Sequence, residues 1–149
     1  MLYLQFQIDD NYYIIHSMNI IEVIPLVPLA SKHKSSTIFA GELNYHGELI
    51  SVIDIKKSLT GEASQKLLST RIIVLKTHHI DKLIKLGIIA EKATETINFD
   101  ETDFRKPIIK EFGFFGDIAL RKGLSYQKIA VDKLLWGSSL PDFDGDSSA

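Results

Sequence analysis

Five histidines, His16, His33, His46, His78 and His79, are the side chains best suited to proton transfer or metal ligation near neutral pH. None stands in an H-E-x-x-H helix, and the sequence holds no G-x-S-x-G nucleophile elbow. His78-His79 with Asp81 is the nearest approach to a metal cluster. Adjacent residues of a strand point to opposite faces, so the two rings do not converge on one ion. Gly41 and Gly47 bracket Glu42 to His46, but no glycine-rich phosphate loop with a lysine follows. The carboxylate pairs Asp9-Asp10 and Glu42/Glu48 fall in turn contexts, where solvated charge accounts for them without a catalytic role. The absence of cysteine excludes thiolate zinc sites, disulfides and a cysteine nucleophile, and fits a reducing compartment. These residue types predict no catalytic, metal or cofactor site.

Charge narrows the partners. Seventeen basic side chains against 19 acidic ones give a net charge of −2 over 149 residues, without the basic field a general nucleic-acid binder needs. Only three of the basic residues are arginines, Arg71, Arg105 and Arg121, so planar forks for phosphate and carboxylate are scarce. No apolar run approaches the roughly 20 residues of a membrane helix. The N-terminus, Met1 to Phe6, has no basic stretch and no small-residue cleavage site, so it does not read as a signal peptide. The expectation is a cytoplasmic protein, with neither nucleic acid nor membrane insertion, that works by presenting surface. Glu22, flanked by Ile20, Ile21 and Val23, is a candidate docking element on such a surface. The alternative, a small-ligand-binding or catalytic β-barrel, requires a concave pocket with convergent polar groups, and no such convergence is visible in the sequence.

The elements that position these residues are mostly strands. Leu2, Leu4, Phe6 and Ile8 alternate with polar or amphipathic residues, and Asp9-Asp10-Asn11 turns the chain into Tyr12 to Ile15, a first hairpin. Ser17 is placed to cap a short turn over Met18 to Ile20, and Glu22 to Val27 reads as extended, with Pro25 suggesting a sheet edge. A polar loop follows from Pro28 to Thr37. The clearest hairpin runs from Ile38 to Tyr45, turns at His46-Gly47 and returns over Glu48 to Ile55. Asp54 is placed to cap a helix over Ile55 to Leu59 that Gly61 ends, and Glu62 to Ser69 is a second loop.

Arg71 to Leu75 reads as a buried strand. Ile80, Leu83, Ile84, Gly87 and Ile88 recur at helical spacing, yet Leu86, Ile89 and the interior Gly87 suit a strand equally, so periodicity leaves this stretch open. Phe104 to Glu111 reads as a loop. Asp117 to Leu120 and Leu124 to Val131 form a closing hairpin, with Asp132 placed to cap a turn over Lys133 to Trp136. Residues 137–149 are rich in Ser and Asp and read as a disordered acidic tail. Many short strands and few helices predict an all-β barrel or sandwich.

The run from Gly41 to Ile55, Gly-Glu-Leu-Asn-Tyr-His-Gly-Glu-Leu-Ile-Ser-Val-Ile-Asp-Ile, resembles the signature of CheW-like domains. That signature has a Gly, a hydrophobic-Asn pair, an Arg-Gly turn and an apolar strand ending Pro-Val-hydrophobic-Asp-Leu. Ile20-Ile21-Glu22-Val23-Ile24 is similar to the family's V-x-E-V-I segment. The first hairpin, Thr70 to Leu75, Gly87 to Ile89 and Phe114 to Leu135 follow in the family's order. His46 stands where the signature has Arg, Ser51 where it has Pro, and Ala90-Glu91 where it has Val-Asp.

The resemblance implies a domain over residues 1–136 built of two intertwined small five-stranded β-barrels with short helices, and it implies a strand over Ile80 to Ala90. It implies a non-enzymatic adaptor joining the cytoplasmic tip of a methyl-accepting chemoreceptor to the regulatory domain of a CheA-type histidine kinase, with self-association into rings. Carried over by position, Ile20, Glu22, Val23, Asn44, His46 and Gly47 are partner-binding, whereas Gly41, Val52 and Asp54 serve the fold.

Overall fold

The computed structural model describes residues 1–30, 38–108 and 112–136. The expected tail and most of the Pro28–Thr37 loop lie outside the described residues. Ten strands make one continuous hydrogen-bonded system: β1 (Leu2–Ile8), β2 (Asn11–His16), β3 (Ile20–Pro25), β4 (Phe39–Tyr45), β5 (Glu48–Ile53), β6 (Arg71–His79), β7 (Lys82–Asn98), β8 (Phe104–Arg105), β9 (Phe115–Arg121) and β10 (Leu124–Ile129). One α-helix, α1, spans Ile55–Thr60, and 3-10 turns occupy Ser17–Asn19, Glu101–Asp103 and Val131–Trp136.

β7 is the strand that both halves share. Lys82 to Ala90 pairs antiparallel with β6, and Gly87 and Ile88 pair in parallel with β5, while Glu91 to Asn98 pairs with β1. One lobe therefore holds β3, β6, the first half of β7, β5 and β4. The other holds the second half of β7, then β1, β2, β10, β9 and β8. The stretch left open by periodicity is a strand from Lys82 onward, with Ile80 in the turn before it. The neighbouring β6 carries an unbroken apolar run because both of its faces are covered: Ile72 and Val74 point into the first lobe, while Ile73 and Leu75 point into a core between the lobes. That shared core also takes Leu4, Phe6 and Ile8 from β1, Leu86 and Ile88 from β7, and Val131 and Leu134 from the last turn. The second lobe is filled by Tyr3, Ile14, Phe99, Ala119 and Tyr126.

The all-β, two-lobed architecture with short helices is the expected one, and in detail the lobes are not closed barrels among the described residues. Six strands contribute to the second lobe, and among the described residues no ladder joins β7 to the two-residue β8. Arg121 stands near that gap, donating to the Asn98 carbonyl at 2.6 Å with its guanidinium 4.3 Å from the Phe99 ring centre. In the first lobe, among the described residues, no continuous ladder joins β3 to β4. An isolated bridge spans the space instead, with Ala30 N–H donating to Glu42 O at 3.0 Å and Glu42 N–H to Ala30 O at 2.7 Å.

Local signals decide the ends of the short elements. Asp54 caps α1 and Gly61 ends it with a φ of +82°. The turn after β2 is capped by His16 rather than Ser17, because the His16 ring nitrogen Nδ1 accepts from Met18 N–H at 3.0 Å. The last turn begins at Val131, so Asp132 lies inside it rather than before it.

Candidate functional site

The β4–β5 hairpin turns on His46 and Gly47, whose φ values of +51° and +85° are the two left-handed conformations of a type I′ turn. Asn44 accepts from Gly47 N–H through Oδ1 at 3.0 Å, so its side chain fixes the turn rather than projecting from it. His46 is thereby held out from the hairpin tip, its side chain 77% exposed.

Glu22 reaches this tip from β3. Tyr45 Oη donates to Glu22 Oε1 at 2.6 Å, His46 Nε2 lies 3.9 Å from the same oxygen, and the Tyr45 and His46 rings meet edge to face at 4.4 Å. The hydrogen bond to Glu22, aided by burial and by the charge of Glu22, raises the Tyr45 phenol above its ordinary range. The carboxylate is still half exposed, so the cluster offers solvent one anionic acceptor beside an imidazole. Lys85 flanks it, pairing with Glu48 at 2.9 Å. Such a patch can accept hydrogen bonds from a docking segment and stack against one of its side chains.

Ile20 and Val23 do not join this cluster. The ladder with β6 slips between Ile20 and Glu22, so Ile20 faces Leu75 and Val23 faces Ile73, and both pack against the core between the lobes. Glu22 lies opposite Val74, whose side chain belongs to the first lobe's interior. Ile21, at the slip, is 38% exposed.

The remaining named positions lie inside. A Cβ on Gly41 would stand 2.8 Å from the Ala30 oxygen and 2.8 Å from Leu29 Cβ. Val52 is fully buried opposite Gly87, where a Cβ would stand 3.1 Å from Val52 Cγ2. Asp54 is 3% exposed and accepts from Ser64 N–H and Ser64 Oγ, both at 2.7 Å, besides Lys57 N–H at 3.4 Å.

Tyr45 is the member of the cluster that sequence reasoning missed. It is 23 positions from Glu22, and β3 and β4 share no ladder, so no spacing rule brings the two together. The buried pair Lys56–Glu91 was missed for the same reason, being formed between α1 and β7. Among the described residues no group of three or more His, Asp or Glu side chains is arranged to hold a metal ion, and no helix is long and apolar enough to cross a membrane.

The crystal structure of the scaffolding protein TtCheW from Thermoanaerobacter tengcongensis is similar in fold, with a TM-score of 0.78 at 23% identity over 90% of this chain and 86% of that one. No curated protein sequence matches the chain. The family model of the CheW-like domain matches residues 2–136, from the first residue of β1 to the last turn. The chain belongs to the CheW-like family of chemotaxis scaffold and adaptor domains.

Proposed function

We propose that the protein is a non-enzymatic adaptor that couples the cytoplasmic tip of a chemoreceptor to the regulatory domain of a CheA-type histidine kinase, acting in the cytoplasm at receptor arrays. The observation that carries this reading is the exposed Glu22–Tyr45–His46 cluster, assembled from two lobe-one strands that are not ladder neighbours. Glu22, Asn44, His46 and Gly47 form the docking patch, with Ile20 and Val23 shaping β3 from behind. Imidazole in place of a permanent guanidinium fork gives this patch fewer donors. That suits a receptor system other than the flagellar one, such as a twitching-motility or second-messenger cluster. Self-association into rings is part of the same proposal.

Isothermal titration with the kinase regulatory domain and with a receptor cytoplasmic fragment tests it. Glu22→Lys is expected to weaken binding to at least one of them by about tenfold, near 1.4 kcal/mol. The melting temperature should move by less than about 2 °C, since an exposed single-site change contributes little to stability. Parent-like affinity for both partners, or no binding of either by the parent, counts against the proposal.

A further inference from the structure

β7 leaves one lobe and enters the other at a single point. Ala90 is its last residue paired with β6, Glu91 is opposite Gln7 of β1, and Lys92 takes a left-handed φ of +54°. At this crossing lies a buried ion pair. Lys56 Nζ donates to Glu91 Oε2 at 3.0 Å, with the two side chains 8% and 9% exposed. Three parts of the molecule meet there. Lys56 comes from α1 in the first lobe. The same Glu91 oxygen accepts Gln65 N–H at 2.9 Å from the loop after α1. Asp9, in the β1–β2 turn of the second lobe, places Oδ1 3.8 Å from Lys56 Nζ.

Two contributions hold the lobes together, and they differ in kind. The apolar core between them is extensive, and its attraction scales with area rather than with direction. A buried ion pair adds little net stability, because desolvation offsets most of the Coulomb gain, but it demands one geometry. We infer that Lys56 and Glu91 form an interlobe latch: the apolar core supplies the cohesion of the two lobes, and the ion pair selects their relative orientation. Asp9 is 61% exposed and adds only a weak, screened tether from the second lobe. The Lys56 ammonium is held charged mainly by its bond to Glu91, against the opposing effect of burial. The latch stands whether or not the adaptor reading holds, because its test involves no partner.

The absence of cysteine lets two introduced thiols carry the only labels. Leu49→Cys on β5 and Leu120→Cys on β9 place spin labels at exposed sites, one in each lobe, for pulsed-EPR distance measurement. The parent should give one narrow distribution, and Lys56→Arg should keep it. The apolar pair Lys56→Met with Glu91→Leu should broaden or shift the distribution while the melting temperature stays level or rises. The Gln65 amide should then exchange about tenfold faster, having lost a charge-assisted hydrogen bond. An unchanged distribution in that variant overturns the latch, and so does a fall in melting temperature without broadening. If the apolar pair fails to fold, Glu91→Gln carries the test. It keeps an acceptor for Gln65 and removes the charge, so a broadened distribution supports the latch and a parent-like one overturns it.

Discussion

At Gly41 the backbone holds a φ of +148° while the chain after β3 presses against it, leaving no room for a Cβ beside Ala30 and Leu29. Gly41→Ala should cost about 2–4 kcal/mol, combining unfavourable φ with a contact that backbone atoms must relieve. A lower urea midpoint with an unchanged slope would register the loss. His16 acts on stability through protons. Burial, then Lys128 and the N-terminal ammonium, hold its pKa below the ordinary histidine value, and its Nδ1 must stay unprotonated to accept Met18 N–H. A depressed pKa means the folded state binds the proton less tightly than the unfolded one. Its contribution is therefore complete above about pH 6.5 and is lost as pH falls through the folded value. Thermal melts at pH 7 and pH 5 should show a smaller pH-dependent drop in His16→Asn, which keeps a capping acceptor but does not titrate. Single residues were legible in the sequence where they act through the local backbone, as with the caps at Asp54 and Gly61. The Tyr45–Glu22 bond was not, since it depends on two strands meeting in space.

The β6–β7 turn shows why periodicity left one stretch open while other elements were plain. Its central residues Ile80 and Asp81 have φ values of +51° and +58°, the type I′ pattern that Asn-Gly or Asp-Gly normally announces. A β-branched residue there hides the turn, and the helical spacing of Ile80, Leu83, Ile84 and Ile88 then suggests a helix. The strand is nonetheless paired on both sides at Gly87 and Ile88, and from Leu86 to Ala90 both of its faces meet packed side chains, so alternation there has no solvent-facing half to reveal it. Ile80 is 70% exposed, so replacing it removes little burial. Ile80→Asn should stabilise the protein by about 1 kcal/mol by relieving the left-handed conformation, seen as a rise in melting temperature. The β4–β5 hairpin was readable because Gly47 stands in its turn and its strands are flanked by turn residues. The second half of β7, over residues 91–98, carried too few apolar residues for its pairing with β1 to show.

Seen whole, the molecule has two lobes but one cooperative core. β7 is a member of both lobes, and the apolar core between them draws residues from β1, β2, β5, β6, β7 and the last turn. Unfolding should therefore be a single two-state transition rather than one step per lobe. Far-UV CD and amide exchange at Ile72 and Ile14, one buried residue in each lobe, should report the same free energy. Separate transitions would show that the lobes are independent. The all-β class was visible in composition and turn spacing, whereas the division into lobes followed from family resemblance. What was beyond both is that one long strand, β7, passes from one lobe into the other.

β2 ends its sheet partnership beside β10 in parallel, with Tyr12 opposite Tyr126. Within the domain the β1–β2 hairpin thus waits for β10, the last of its strands in chain order, whereas β3 to the first half of β7 form one uninterrupted stretch of chain. Biogenesis accordingly has a built-in order: the lobe contiguous in sequence can assemble early, and the other remains an exposed sheet edge until β10 has been made. Pairings of such long range place refolding on the millisecond-to-second scale typical of nonlocal β topologies. They make the interval before β10 emerges the period of greatest aggregation hazard.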